Sequence, residues 1–352
     1  MSLRTPMFVN ISNDPDRDSP SQLALATTRS PQLAQQIRHI RWVCLYHSWK
    51  DWEVQAQGLA TAIVRCTHLR SLQLISLHRQ RHPLEILADA LNESLLNQTP
   101  PFPPWPQLDG LWILGERNWQ ASQMSSLATV LSATATIDHL WMNHSILVDG
   151  KIRFRFPSIT TFTGTWSLLY TFISEYDQST EVQQNFRLPR RINIQDISSF
   201  PMQTFEQLES LPQYHIVLSA VRFFKFHSGI PTDLRSVVRH MPHLHTIHLC
   251  YHFVEQVQLE LLALASPGVR RFIIQKTPGL DAPTALQTMQ VLLAFLEGGS
   301  SDGRRSLALR LLQMQLSTAS LARFAELESQ LLVVQSHLRR YCAARRIAVV
   351  LT

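Results

Sequence analysis

The densest group of potentially reactive side chains lies between residues 243 and 252, where His243, His245, His248 and His252 surround Cys250. Imidazole and thiolate are common zinc ligands, and an imidazole beside a thiol is the basis of cysteine nucleophiles. Both chemistries need side chains that converge. On a strand, alternate residues share a face, so His248 and Cys250 lie together while His243 and His245 are offset by parity. Two ligands do not complete a tetrahedral site, and His227 or Arg271 from neighbouring segments are unforced additions. A His248–Cys250 nucleophile pair lacks an orienting carboxylate or oxyanion hole in the nearby sequence. No GxSxG, HExxH, P-loop or dinucleotide fingerprint occurs elsewhere in the chain. The expectation is a protein that is not an enzyme, with no metal and no cofactor.

The elements that must position these residues follow an internal repeat. An apolar residue, two variable ones, an apolar, one variable and another apolar recur as Leu69-Leu72-Leu74, Leu108-Leu111-Ile113, Ile137-Leu140-Met142, Leu244-Ile247-Leu249 and Val269-Phe272-Ile274. A proline stands two residues ahead of several copies: Pro106, Pro157, Pro242 and Pro267. Each proline stops a preceding helix and sets an extended entry to a strand. Weaker copies are Ile37-Ile40-Trp42, Ile159-Phe162-Gly164, Leu188 to Ile194 through the alternating Arg191-Ile192-Asn193-Ile194, Leu218-Val221-Phe223, Leu307-Leu309-Leu311 and Ile347-Val349-Leu351. Tyr214-Val217, after Pro212, competes with the Leu218 register. Helical spacing of apolar residues fills the gaps over 82–97, 256–265, 284–296 and 317–344. The spacing predicts an α/β leucine-rich-repeat solenoid, an irregular horseshoe of about ten repeats with parallel strands on the concave side and helices outside. Residues 31–352 form the array, and residues 1–30 are expected to be a disordered N-terminal segment. The Gly-rich turn of a doubly wound sheet is absent.

Composition agrees with a folded chain. Of 352 residues 45% are hydrophobic and 16% charged, with 11 glycines, which argues against general disorder. Four widely separated cysteines without a CxxC pair argue against a disulfide framework and for reduced thiols in the cytoplasm or nucleus. The first residues lack the apolar run of a signal peptide, and no stretch is apolar enough for a membrane span. The net charge of +6 favours acidic partners. The basic pairs Arg190-Arg191, Arg304-Arg305, Arg339-Arg340 and Arg345-Arg346 are dispersed along the chain, without the concentrated basic face and stacking aromatics of a nucleic-acid binder. The run Thr99-Pro-Pro-Phe-Pro-Pro-Trp-Pro106 reads as a stiff connector into the Leu108 strand, with a polyproline ligand as the alternative.

The repeat resembles leucine-rich repeats, and the ends resemble the fungal group of F-box proteins that carry them. Ser30-Pro31-Gln32-Leu33-Ala34 running into Ile37-Arg38-His39-Ile40-Arg41-Trp42 is similar to the first repeat of that group. Leu338-Arg339-Arg340-Tyr341-Cys342 through Arg345-Arg346-Ile347-Ala348-Val349 is similar to its closing helix, cysteine and basic turn. The resemblance covers residues 31–352 and implies selection of a protein for ubiquitin transfer. Two departures qualify it. No F-box with an LPxE-like start is found, so contact with a ubiquitin-ligase core is expected only if an F-box is supplied. The asparagine three residues after the last apolar position is replaced by Leu77, Glu116, Ser145, His252 and Thr277, which predicts an irregular array.

Variable strand residues of such a repeat point to the concave side. They include Arg41, Gln73, Trp112, Trp141, Thr163, Arg222, His248, Ile273, Ser71, His139, Thr161 and Arg271, with Trp166, Lys225, Tyr251 and Lys276 just past the strands. Trp, Tyr and Arg dominate protein-interface energetics. Trp112, Trp141, Trp166, Arg222, His248, Tyr251 and Arg271 are therefore the candidate partner-binding residues, suited to a protein segment that is acidic or phosphorylated. The alternative is that Trp112 and Trp141 pack against each other or under loops.

Overall fold

A computed structural model describes residues 7–12, 19–44, 52–76, 82–96, 105–115, 121–132, 134, 136–142, 158–165, 169, 173, 188–195, 212–227, 237–251, 268–276, 282–298, 309–315 and 325–351. The chain divides into two compact units, Met1–Pro189 and Arg190–Thr352.

The first unit runs β1 (Met7–Ser12), α1 (Ser19–Arg29), α2 (Pro31–Gln36), β2 (Ile37–Cys44), α3 (Trp52–Val64), β3 (Ser71–Ser76), α4 (Pro83–Leu96), β4 (Gly110–Leu114), α5 (Ala121–Ser132), β5 (Thr136–Met142) and β6 (Ser158–Gly164). Its strands pair in chain order and all in parallel. The second unit runs β7 (Arg191–Ile194), α6 (Pro212–Ser219), β8 (Phe223–His227), β9 (Thr246–Tyr251), β10 (Arg271–Lys276), α7 (Ala282–Gly298), β11 (Leu311–Gln315), α8 (Ala325–Ala344) and β12 (Ala348–Leu351). These strands also pair in chain order and in parallel. Strand order reverses in neither unit, which separates both from a doubly wound sheet.

Four of the strands, β3, β4, β8 and β9, begin from a recurring tight turn. The N–H of Leu69 bonds to the Cys66 carbonyl (3.0 Å), Leu108 to Trp105 (3.3 Å), Val221 to Leu218 (3.1 Å) and Leu244 to Met241 (3.0 Å). Pro106 and Pro242 occupy the second position of two of these four-residue turns, where a fixed φ near −65° suits the geometry. The prolines therefore act through turn closure and not through extended backbone alone; Pro157 and Pro267 lie outside the described residues. Both ends of each turn are buried: Cys66 and Leu69, Trp105 and Leu108, Leu218 and Val221, Met241 and Leu244. Trp105 and Pro106 end the proline run, and the Trp105 indole Nε1 donates to the Ile63 carbonyl at 3.3 Å, tying the turn to the end of α3. The rest of that run is outside the described residues.

The apolar triads supply the core. Ile40, Leu72, Leu111, Leu140 and Phe162 align across β2 to β6, as do Trp42, Leu74, Ile113 and Met142 across β2 to β5, and all are buried. In the second unit Ile192, Phe224, Ile247, Phe272, Leu312 and Val349 form the equivalent row. Residues between these positions are mostly half-buried or exposed, so one face of each sheet is covered and the other stays more open. In the first unit α1, α3, α4 and α5 pack in series, as the strands do. Helix α4 starts from a reciprocal cap: His82 Nδ1 accepts the Leu84 N–H (3.1 Å), and the Glu85 carboxylate accepts the His82 N–H (2.9 Å).

Three expectations need correction. Residues 1–30, expected to be disordered, supply β1 and α1, with β1 paired along β2 and Ile11 fully buried. At the eighth strand Val221, Phe224 and Phe226 are in phase with Leu244, Ile247 and Leu249, three residues on from Leu218-Val221-Phe223. The competing Tyr214 and Val217 are buried residues of α6. Strand β11 begins where the Leu307-Leu309-Leu311 pattern was expected to end, and it buries Leu312 and Met314. The expected helix over 256–265 lies outside the described residues, and α8 is described only from Ala325.

Candidate functional site

In the first unit the open face carries His39, Ser71, Gly110, His139 and Thr161 in one row and Arg41, Gln73, Trp112, Trp141 and Thr163 in the next. Parallel pairing in register brings together residues about thirty apart in sequence. Trp112 and Trp141 are register partners, both half-buried. The Trp112 ring lies back along its own strand over Gly110, where an added Cβ would overlap the indole. Beside the ring opens a cleft of ≈ 440 Å³ lined by Arg38, His39, Arg70, Ser71, Asp109, Gly110, Trp112 and His139. Arg38 is held by its own turn, donating to the carbonyls of Gln35 and Ile37. His39 stacks on Phe8 of β1 with centroids 6.3 Å apart. The indole Nε1 of Trp141 is buried without a hydrogen-bond partner among the described residues.

In the second unit the open face gathers Lys225, His248, Cys250 and Gln275 from three strands. The Gln275 Oε1 lies 3.0 Å from His248 Nε2, 3.3 Å from Cys250 Sγ and 3.5 Å from Lys225 Nζ. His248 Nε2 and Cys250 Sγ are 3.4 Å apart, so the two residues placed on one face by parity do touch. One amide oxygen collects three potential donors, which favours the His248 tautomer with its proton on Nε2, directed at Gln275. That nitrogen is then not available as a base for the thiol. Burial pushes the Cys250 thiol up, and Lys225 offsets only part of this. A thiol held protonated is a poor nucleophile, so the arrangement acts as a clamp between strands. Among the described residues no group of three or more His, Cys, Asp or Glu is placed to hold a metal ion.

The sequence candidates distribute unevenly over this geometry. Trp112 lines the cleft, Trp141 is its register partner on the next strand, and His248 sits in the clamp. Arg271 is exposed at the first position of β10. Tyr251 ends β9, and its side chain lies outside the described set, as does Trp166 entirely. Arg222 is not a strand residue: with the corrected register it stands at the entry to β8, and Lys225, expected past the strand, occupies the mid-strand position opposite His248. Sequence reasoning missed Gly110 and Gln275. A glycine two residues before a strand tryptophan is the signal that marks the first. Nothing local marks the second, because its partners come from other strands.

No model of a known protein family matches the chain, and no curated protein matches it significantly in sequence. Among the described residues no helix is long and apolar enough to cross a membrane.

Proposed function

We propose that this chain is a non-enzymatic protein-interaction module, a leucine-rich-repeat solenoid whose open strand face receives a segment of a partner protein in the cytoplasm or nucleus. Sequential parallel strands returned by helices are the element order of such arrays. The observation that carries the reading is the cleft beside Trp112. A large aromatic side chain lies over a glycine, rimmed by two arginines, two histidines and Asp109, on a face that the core does not use. Half-buried tryptophans flanked by arginine are the type of anchor that concentrates binding energy at protein interfaces.

Resemblance to the fungal F-box group supports substrate recognition for a ubiquitin ligase as the biological setting. The alternative is a free-standing scaffold or inhibitor of the same architecture. Crosslinked purification of the wild-type chain and of the Trp112→Ala/Trp141→Ala variant tests both. The module reading expects partners that the variant loses, and unchanged recovery would remove it. A cullin-type core among the lost or retained proteins supports the ligase setting; a single stoichiometric partner without one supports the scaffold.

A further inference from the structure

One residue stands immediately before each strand of the second unit, and its carbonyl receives N–H groups of the next strand entry. The Arg190 carbonyl accepts from Arg222 (2.9 Å) and Phe223 (3.1 Å), and that of Arg222 accepts from His245 (2.9 Å) and Thr246 (3.1 Å). The His245 carbonyl accepts from Arg270 (2.9 Å) and Arg271 (3.0 Å), and that of Arg270 accepts from Arg310 (2.7 Å) and Leu311 (3.0 Å). These bonds set Arg190, Arg222, His245, Arg270 and Arg310 in one row across β7 to β11, and all five are exposed. With neighbouring strands ~4.8 Å apart, the row spans roughly 19 Å. Arg191 and Arg271, also exposed, add a second charge at two of the steps. No Asp or Glu occurs in the described entries 188–190, 220–222, 240–245, 268–270 and 309–310.

The turn does not demand arginine. The equivalent row of the first unit reads Arg38, Arg70, Asp109, Asp138 and Thr160, in which the charges cancel. Like charges on adjacent strands destabilise a sheet, so packing alone gives no reason for the all-basic row.

We propose that this row is a docking edge for an extended, Asp- and Glu-rich segment of a partner protein. The inference rests on the protein-binding reading above and names the chemistry of the partner. An extended chain advances about 3.4 Å per residue, so about six residues cross the row, and long arginine side chains take up the difference in pitch. Guanidinium forks bind carboxylates bidentately. A single phosphate needs donors converging on one point, whereas these are spread one per strand. A single-stranded nucleic acid needs open aromatic faces for stacking. Phe223 is the one aromatic side chain at the first positions of β7 to β11, and the Arg191 guanidinium lies over its ring at 5.5 Å.

The test is fluorescence anisotropy of the full chain with a labelled Glu/Asp-Gly peptide at low salt. The expected result is binding that weakens as salt rises and falls by at least about ten-fold in Arg222→Glu/Arg270→Glu. Arg339→Glu/Arg340→Glu makes the same change in net charge on exposed positions of α8 and should leave the affinity within about two-fold. Arg222→Gln/Arg270→Gln, checked for an unchanged melting curve, guards against misfolding of the reversal variant and should also weaken binding. Equal losses in the edge and α8 variants, absence of peptide binding, or tighter binding of an oligouridylate or a singly phosphorylated neutral peptide would each overturn the proposal. Trp112→Ala separates the two readings. If it abolishes recovery of crosslinked partners while the acidic peptide fails to bind, the docking edge falls and the open-face module stands. If it changes nothing while the edge variants lose the peptide, the reverse holds.

Discussion

At Gly110 the absence of a Cβ is a requirement of the neighbouring side chain. The Trp112 indole occupies the space that any other residue would fill. Gly110→Ala should therefore swing the ring out of the cleft, costing about 1–3 kcal/mol as an overpacked site. The expected readout is a lower denaturation midpoint with a shifted tryptophan emission, and an unchanged emission maximum would show that the ring does not depend on the glycine. Residue types on the open face were legible in the sequence, since parity alone paired His248 with Cys250. Their chemistry was not, because it depends on Gln275, a neighbour twenty-five residues away that only the register brings within reach.

Among the elements, those with one clear apolar parity were legible. The triads ending at Leu74, Ile113, Met142 and Leu249 all stand where the pattern put them. Ambiguity appeared where both parities are apolar. Phe223, Phe224 and Phe226 offer two registers for β8, and Leu309, Leu311 and Leu312 do the same for β11; at β8 the buried entry-turn residues Leu218 and Val221 decide between them. Helix α8 ends with a related constraint. Arg346 adopts φ 58°, with the Ile347 N–H bonded to the Cys342 carbonyl (2.9 Å) and the Arg346 N–H to that of Ala343 (3.1 Å). This is the Schellman closure, normally built with glycine at the left-handed position. A non-glycine residue there costs about 1–2 kcal/mol, partly offset by the chain entropy that glycine adds. Arg346→Gly should raise stability by up to about 1 kcal/mol in denaturant titration. A loss of stability would mean that the Arg346 side chain contributes more than its backbone strain costs.

For the whole molecule, all four cysteines are free and buried. Burial raises the Cys44, Cys66, Cys250 and Cys342 thiols, with Cys66 pushed up to about 12. From about pH 9 the unfolded chain releases these protons while the folded chain retains them. Stability is therefore complete below pH 9 and falls as pH rises towards the folded values, by about 1 kcal/mol per well-buried thiol at pH 10. Melting temperatures at pH 8 and pH 10 check this. Cys66→Ala should lower stability at pH 8 yet flatten the decline, and an undiminished slope would assign the alkaline loss to other groups. The dispersed basic pairs show the opposite limit of reading a chain in one dimension. Scattered arginines became a row only when each was counted from its own strand start.

The entry turns have a consequence for how such a chain tolerates changes in length. Strands β3, β4, β8 and β9 are each positioned by a four-residue closure and by bonds to the entry before it, within a few residues of the strand's own start. A residue inserted into a connector well upstream leaves that local closure untouched, and the sheet absorbs the change. One inserted between the turn and the strand inverts the alternation, sending Phe224 or Leu111 to solvent and Lys225 or Trp112 into the core. A repeat entered in this way resets its own phase, and insertions and deletions should accumulate in the connectors, with the turn-to-strand spacing kept.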